Sequence, residues 1–281
     1  MSSVLFDEPG PRARVRHRLY NVLAGVAILA ALGGIAWRMY DRGQFEYELW
    51  EVFVTPEYVQ FIGEALLDTL AMAGLSILFA IFFGLFFGLG KLSDHALVRW
   101  PCWAVVEFFR AVPLLLLIVG IFMIWGIGDG FGAYWSVVIG LTLYNGAVLA
   151  EIFRAGVLAV PPGQGEAAYA IGMRKTQVMG IVLLPQAIKI MIPAIISQCV
   201  VALKDTSLGY YITAPGLTYA AKLLYGEFNN ELPTILVISA IYIIVNLILT
   251  GIATWVQKRI VGEKKQLEVP GVGGQPDRTA V

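Results

Sequence analysis

The chain has 281 residues, of which 58% are hydrophobic and only 14% are charged, and its mean hydropathy is +0.74. A soluble domain carries roughly 25% charged residues, so a single water-soluble core cannot bury this much apolar side chain. The formal net charge is zero, which gives no overall basic field that would indicate a nucleic-acid partner. The composition therefore predicts an integral membrane protein whose excess apolar surface faces lipid.

The apolar residues group into segments long enough to cross a bilayer, which needs about 20 apolar residues per helix. A basic stretch from Arg12 to Arg18 precedes the first segment, and bulky residues rather than a small-residue cleavage site follow it, so we interpret it as a retained span. The predicted fold is all-α with six transmembrane helices, at residues 20–38, 60–90, 103–126, 134–153, 186–204 and 233–256.

Two of these spans have features that predict more than membrane crossing. The second ends in Gly84, Gly88 and Gly90, a small-residue face suited to close helix packing. The fifth contains Pro193 and Gln198, and its uninterrupted apolar part is short. It is either a poor span or a re-entrant segment, and such breaks in transporters often mark the substrate path.

The distribution of lysine and arginine predicts the orientation. With the N-terminus inside, the outer connections receive only four cations, and the first outer loop, 39–58, is acidic. Both termini are then cytoplasmic, and the tail at 262–281 is predicted to be disordered. The cytoplasmic side receives the cluster from Arg12 to Arg18 and Lys91, Arg99, Arg154, Arg174, Lys175, Lys189, Lys258, Arg259, Lys264 and Lys265.

The cytoplasmic connection at about 154–185 is too long and too patterned for a simple connector. It predicts a short surface helix, then a turn at Gly172, where a glycine adopts a conformation that side chains resist. A second helix follows, and Pro185 suits its first turn because a proline there needs no N–H. The first helix carries Glu166, Ala167 and Ala168, whose small alanines allow a partner surface to approach closely.

This pattern resembles the coupling motif of bacterial ABC importer permeases, which reads Glu-Ala-Ala, three residues, Gly, nine residues, Ile-x-Leu-Pro. Only the isoleucine departs, because Val182 occupies its position. The resemblance implies that the loop docks into a groove of a cytoplasmic ATPase and that Glu166, Ala167, Ala168, Gly172 and Pro185 make the coupling contact. An ordinary amphipathic loop helix is the alternative.

Other segments are similar to the polar amino acid subgroup of that family, and the resemblance covers about residues 59–256. It implies a five-helix permease core at 59–256, preceded by an extra helix and outer loop at 20–58 and flanked by cytoplasmic tails at 1–19 and 257–281. The similar segments are Ala150–Gly156, Val160–Glu166, Pro185–Ala187, Leu203–Leu208 and Arg110–Leu115, where Ala111 and Val112 depart from the family's Gly-Thr.

A polar cluster at the end of the fifth span is the candidate substrate site. Lys204 could pair with a substrate carboxylate and Asp205 with its ammonium group, while Thr206 and Ser207 add neutral donors and acceptors. A lysine–aspartate pair that merely reaches the outer interface is the alternative.

Two further charge pairs are spaced three residues apart, Glu107 with Arg110 and Glu151 with Arg154. We interpret both as structural or interfacial rather than substrate-binding. Seven tryptophans cluster near predicted span ends, where interface anchoring explains them.

The chain lacks a phosphate-binding loop of the Gly-x-x-x-x-Gly-Lys-Ser/Thr type, since Leu85 and Leu92 flank Gly90-Lys91 where glycine and a hydroxyl residue belong. We therefore expect no ATP hydrolysis, no catalytic residue, no metal and no cofactor in this chain, with ATP used by a separate subunit. An ion-coupled secondary carrier is the alternative, although no internal repeats are evident, and a membrane enzyme is less favoured because no catalytic constellation appears.

The complete prediction is a multi-pass permease subunit of the bacterial cytoplasmic membrane that imports a polar amino acid. Glutamate or aspartate is placed first, glutamine next and basic amino acids last. The expected partners are cytoplasmic ATPase subunits, an extracytoplasmic amino-acid-binding protein, membrane lipid and a second permease chain. A heterodimer is favoured over a homodimer.

Overall fold

A computed structural model describes residues 11–261, and within this range every regular element is a helix, which confirms the predicted all-α fold. The predicted disordered tail at 262–281 and the first ten residues of the N-terminal tail lie outside the described residues. The helices are α1 Pro11–Asp41, α2 Tyr47–Trp50, α3 Pro56–Lys91, α4 Ala96–Ala111, α5 Leu114–Ile121, α6 Gly132–Leu158, α7 Pro162–Ala170, α8 Lys175–Gln177, α9 Leu184–Asp205, α10 Leu217–Phe228 and α11 Glu231–Val261.

Short turns of other helix types extend several of these elements. π-Helical turns at Phe122–Gly126 and Val178–Leu183 follow α5 and precede α9, and 3₁₀ turns occupy Glu51–Phe53 and Thr206–Ile212. The turn at Val178–Leu183 joins α8 to α9, so the chain is helical without interruption from Lys175 to Ile212.

Five helices in the described range are long and apolar enough to cross a membrane: Ala13–Asp41, Pro56–Lys91, Gly132–Leu158, Lys175–Ile212 and Glu231–Arg259. Each contains one of the predicted spans. The fifth predicted span lies inside a helical stretch of 38 residues, which by length favours a complete crossing over the re-entrant alternative.

The predicted span at 103–126 is a bent pair of helices rather than one straight helix. The chain there forms α4 and α5, which meet at an angle of 100°. Pro113 has no N–H for a helical hydrogen bond, and its ring disfavours the α-helical conformation of the residue before it. Val112 accordingly adopts an extended conformation, with φ −75° and ψ 127°. The pair makes a sixth crossing only if the two bent pieces together form one span.

Contacts within the chain define two compact units. Among the described residues, the first comprises residues 11–61 together with Leu223–Val237, and the second comprises Ile62–Lys222 together with residues 238–261. In the first unit the apolar part of α1 is exposed on all sides. The Asn230 side chain donates a hydrogen bond to the Leu49 carbonyl at 2.9 Å, which ties the start of α11 to α2.

The second unit is built around α6, the most buried of the five spanning helices in the described range. One end of α6 packs on α5 and the turn after α9 through a cluster that includes Ile118, Leu141 and Ile212. The other end packs on α9 and its preceding turn through a cluster that includes Phe153 and Met191. Its burial makes α6 the helix on which the second unit is assembled.

Close approach of α3 to α6 depends on two of the glycines that the sequence singled out. A Cβ atom at Gly84 would lie 2.8 Å from the Leu149 Cβ, and one at Gly88 would lie 2.7 Å from the Ala150 carbonyl oxygen. Real Cβ atoms do not approach other atoms so closely. The predicted small-residue packing face is therefore confirmed.

Candidate coupling segment and charged network

The segment at about 154–185 folds as a helix, a turn and a second helix. Pro162 occupies the first turn of α7, where a proline is tolerated. At the other end Gly172 has φ +85°, the left-handed conformation that favours glycine. The Gly172 N–H donates to the Tyr169 carbonyl at 2.9 Å and the Met173 N–H donates to the Ala168 carbonyl at 3.2 Å. These two bonds form a Schellman motif, which ends α7 and turns the chain.

The residues that resemble the coupling motif divide between an inner and an outer face of α7. Ala168 is 5% exposed and lies on the buried face of α7. Glu166 and Ala167 are exposed, and so are the larger apolar side chains Tyr169 and Ile171. The outer face of this segment thus presents a carboxylate beside small and large apolar groups.

Pro185 lies in the first turn of α9, as the sequence predicts, but the helix does not begin afresh there. The π-helical turn Val178–Leu183 runs directly into it. Such turns shift the hydrogen-bonding register of a helix, and here the shift occurs just before a residue that has no N–H to donate. The Gln186 side chain donates to the Val182 carbonyl at 2.9 Å and to the Gln164 side chain at 3.4 Å, which links α9 to α7.

An ion pair connects this segment to the α3–α4 connection. The Lys175 ammonium binds the Asp94 carboxylate, and both side chains are largely exposed. The lysine, through its hydrogen bond and its charge, lowers the pKa of Asp94 below the ordinary aspartate value. The pair is a surface contact whose strength depends on ionic strength.

The candidate substrate residues Lys204, Asp205, Thr206 and Ser207 do not converge in this chain. Lys204 is exposed, whereas Thr206 is 2% exposed and its hydroxyl donates to the Leu203 carbonyl at 2.7 Å. Within the described residues Lys204 and Asp205 form no ion pair with each other. Thr206 follows the last residue of α9, and its hydroxyl is used within the chain, whereas Lys204 is exposed and Asp205 is half-buried.

Two polar contacts between helices were missed by the sequence analysis. Asn145 on α6, 1% exposed, accepts a hydrogen bond from the Gln198 side chain on α9. The buried Thr69 hydroxyl on α3 accepts one from the Leu217 N–H at the start of α10, at 2.9 Å. A polar residue in an apolar helix indicates that a hydrogen-bond partner is needed, but the sequence does not identify that partner.

The two predicted charge pairs form and are joined into one network. Arg110 lies 3.3 Å from Glu107, and the Arg154 Nε lies 2.9 Å from Glu151. Lys91, at the end of α3, binds both carboxylates, with 3.2 Å to the Glu107 Oε1. The sequence analysis used Lys91 to predict orientation and to argue against a phosphate-binding loop, and it missed the bridging role.

This network borders an open cavity of about 580 Å³ beside α4, here called the α4 groove. It is lined by charged and indole side chains from the ends of α3, α4 and α6. A second cavity of about 430 Å³ shares Glu151 with it and is also lined by Arg110 and Tyr144. The residues that line the α4 groove are Lys91, Arg99, Trp100, Trp103, Glu107, Glu151 and Arg154.

Residues 76–262 match the family described as the binding-protein-dependent transport system inner membrane component. The chain belongs to this family. It is 36% identical to the glutamate transport system permease protein GluD of Corynebacterium glutamicum, over 84% of this chain and 89% of that one. It is 33% identical to the probable glutamine ABC transporter permease protein GlnP of Bacillus subtilis, over 68% of this chain and 89% of that one.

A solved structure has the same fold. A chain of an amino acid ABC transporter crystallised with histidines superposes with a TM-score of 0.67 at 30% identity, covering 72% of this chain and 95% of that chain. The predicted resemblance to permease subunits of amino-acid ABC importers is therefore confirmed, and this chain is a multi-pass membrane component of such a transport system.

Proposed function

We propose that this chain is the permease subunit of an ATP-driven importer that carries a polar amino acid, with glutamate or aspartate as substrate. The observation that carries the proposal is the helix–turn–helix at about 154–185, with its exposed Glu166 and Ala167 and its positive-φ Gly172, in a chain of this family. The names of the relatives support an amino acid, and the 36% identity to a glutamate permease favours an acidic one.

The proposed energy source is a separate ATPase subunit that receives α7 in a surface groove. The exposed Tyr169 and Ile171 support this docking, because their apolar area gains stability when a partner covers it. The orientation that directs α7 to the cytoplasm is the one in which both termini are inside. An extracytoplasmic binding protein would then deliver substrate to the opposite side.

The proposed working unit pairs this permease with a second, similar chain, and a heterodimer is favoured. A path along a two-fold interface needs two chains, and the extra helix α1 with its fully exposed apolar surface suits a specialised member of a pair. Expression with only the ATPase and the binding protein tests this. Full transport without a second permease would defeat the heterodimer.

Lys204 and Asp205 are the proposed contacts for the substrate carboxylate and ammonium groups. Lys204 is exposed and Asp205 is half-buried in this chain, which fits a site that other groups, including those of a second permease, complete. Because every amino acid carries both groups, this pair would hold the common part of the substrate. Specificity for the side chain would then come largely from the binding protein.

A competition uptake assay tests the substrate. Cells that carry the whole importer should take up radiolabelled glutamate, and excess aspartate should suppress uptake more strongly than excess glutamine or arginine does. Equal suppression by arginine would contradict the acidic assignment. Uptake that survives Lys204→Ala unchanged, with membrane levels matched, would contradict the carboxylate contact for any amino acid.

A further inference from the structure

We propose that the α4 groove binds the phosphate headgroup of an anionic phospholipid. Apart from Arg154, which also begins the segment at about 154–185, the residues that line the groove belong neither to the coupling segment nor to the residues proposed to contact substrate. Its position, charge and exposed aromatic surface each support this ligand.

The groove has an excess of positive charge. Three cations, Lys91, Arg99 and Arg154, face two carboxylates, Glu107 and Glu151, so one positive charge is left over. The Lys91 side chain is only 6% exposed and binds both carboxylates from within. The accessible cations are therefore the two arginines, and a singly charged phosphodiester would balance the remaining charge.

Both arginines keep donors available for a phosphate. Arg99 forms no ion pair among the described residues, and its Nη1 donates to the Ser93 carbonyl at 3.2 Å. Asp94, the carboxylate on the α3–α4 connection, is bound by Lys175, and Arg99 acts on it only through its charge. The Arg154 Nε donates to Glu151, and the two terminal nitrogens of Arg154 have no hydrogen-bond partner among the described residues. A guanidinium has five N–H donors in a planar fork that matches phosphate oxygens.

The apolar rim of the groove fits a lipid better than a soluble anion. Trp100 and Trp103 form an edge-to-face pair with ring centroids 5.7 Å apart, and their side chains are 62% and 46% exposed. Leu97, one turn earlier on α4, is 91% exposed. A phosphate ion would leave these surfaces in water, whereas acyl chains would cover them.

The place of α4 in the chain puts the groove at a membrane surface. The helix begins at Ala96, a few residues after the spanning helix α3 ends at Lys91. Indole rings prefer the headgroup region, where the ring is in apolar surroundings and its N–H stays wet. Basic pockets between membrane helices are known to accept anionic headgroups.

The test is native mass spectrometry of the purified complex in neutral detergent, with phosphatidylglycerol and phosphatidylcholine supplied in equal amounts. Wild type should retain phosphatidylglycerol in preference. Arg99→Gln should lower that preference about fivefold, since one cation near a membrane surface contributes about 1 kcal/mol to anionic-lipid binding. Trp100→Ala should lower retention of both lipids.

The matched control is Lys258→Gln, which removes an exposed cation from the last turn of α11, outside the groove. It should leave the preference unchanged. Equal retention of both lipids by wild type, or equal effects of the two substitutions, would overturn the proposal. So would loss of the preference in excess inorganic phosphate, which would assign the groove to a soluble anion. A preference seen only in the chain without its partner subunits would assign the groove to a protein interface. All of these readouts are independent of transport.

Discussion

The side-chain amide of Gln198 on α9 donates a hydrogen bond to the side-chain oxygen of Asn145 on α6, 2.5 Å away. The Asn145 amide nitrogen in turn donates to the Leu141 carbonyl of its own helix at 2.9 Å. Asn145 is almost fully buried, so no water is available to replace a lost partner. This contact links the two helices that pack most extensively in the second unit.

The first prediction is that these two side chains are energetically coupled. A double-mutant cycle with Asn145→Ala and Gln198→Ala should give a coupling energy of about 0.6 kcal/mol and at most about 1.7 kcal/mol, the range for polar contacts between membrane helices. The measurement is the free energy of unfolding in mixed micelles. A control cycle combines Asn145→Ala with Gln186→Ala, because the Gln186 side chain hydrogen-bonds to Val182 and Gln164 rather than to Asn145. Equal coupling energies in both cycles would contradict the direct contact.

The second prediction concerns Lys91. Lys91→Met should lower the free energy of unfolding by about 3 kcal/mol, the lower end of the range for breaking a buried ion pair, because Arg110 and Arg154 still accompany the two carboxylates. Adding Glu151→Gln should restore part of the loss, since it removes a carboxylate that has lost Lys91 as one of its two cationic partners. Thermal unfolding in detergent measures both.

The control for Lys91 is Lys175→Met, which makes the same change in an exposed ion pair. An exposed ion pair contributes little to stability because water and salt screen it, so this variant should unfold almost as wild type does. If the two variants lose equal stability, then Lys91 does not bridge the network.

The third prediction tests the close approach of α3 to α6. Gly88→Ala should destabilise the chain by about 1–3 kcal/mol through overpacking, because the added Cβ would meet the Ala150 carbonyl oxygen. Gly74→Ala on the same helix meets nothing within 4 Å. It should be neutral or stabilising by up to about 1 kcal/mol through helix propensity. Chemical unfolding measures the stability of both variants. A Gly74→Ala variant less stable than Gly88→Ala would contradict the packing argument.

The fourth prediction concerns the turn after α7. Gly172→Ala meets no neighbouring atom within 4 Å, but φ is +85° there, and a left-handed conformation costs a residue with a side chain about 1–2 kcal/mol. We expect several-fold weaker stimulation of ATP hydrolysis by substrate in vesicles that contain the whole importer. Gly180→Ala, equally uncrowded and without a positive φ, should behave as wild type does.

Glu166→Lys extends this test to the exposed face of α7. The residue is exposed, so the substitution should leave folding and membrane levels unchanged while it weakens the same stimulation. Full stimulation in both Gly172→Ala and Glu166→Lys would count against docking of this segment on an ATPase.

The fifth prediction is a pH dependence of the Asp94–Lys175 contact. The lysine lowers the pKa of Asp94, so the contact stabilises the fold above the ordinary aspartate pKa and is lost as pH falls through the lowered value. Asp94→Asn should therefore speed hydrogen exchange of the amides near Lys175 at neutral pH. The difference from wild type should begin to shrink only below the ordinary aspartate pKa of about 3.9 and should disappear once the pH is below the lowered pKa. A difference that does not change with pH through the acid range would exclude the carboxylate as its cause.

Local relationships were predictable from the sequence because helix geometry determines them. Residues three apart lie on one face of a helix, so the pairs Glu107–Arg110 and Glu151–Arg154 could be predicted from spacing alone. The turn at Gly172 followed in the same way, since few residues other than glycine end a helix in the left-handed conformation. The spans followed from composition, because a bilayer sets the length of each apolar helix.

The bend between α4 and α5 was missed although its cause is also local. Hydropathy is summed over a window and carries no information on chain direction, so an apolar run with Pro113 inside it still scores as one span. The conformation of Val112, which the following proline ring pushes out of the helical region, decided the path.

Only the tertiary structure decided which distant groups meet. Lys91 is separated by 16 residues from Glu107 and by 60 from Glu151, and Asn145 by 53 from Gln198. Composition required that these polar groups find partners in an apolar environment, but many pairings satisfy that requirement equally well. The choice among them was made by the packing of α3, α4 and α9 around α6, because helix packing sets which side chains come within hydrogen-bonding distance.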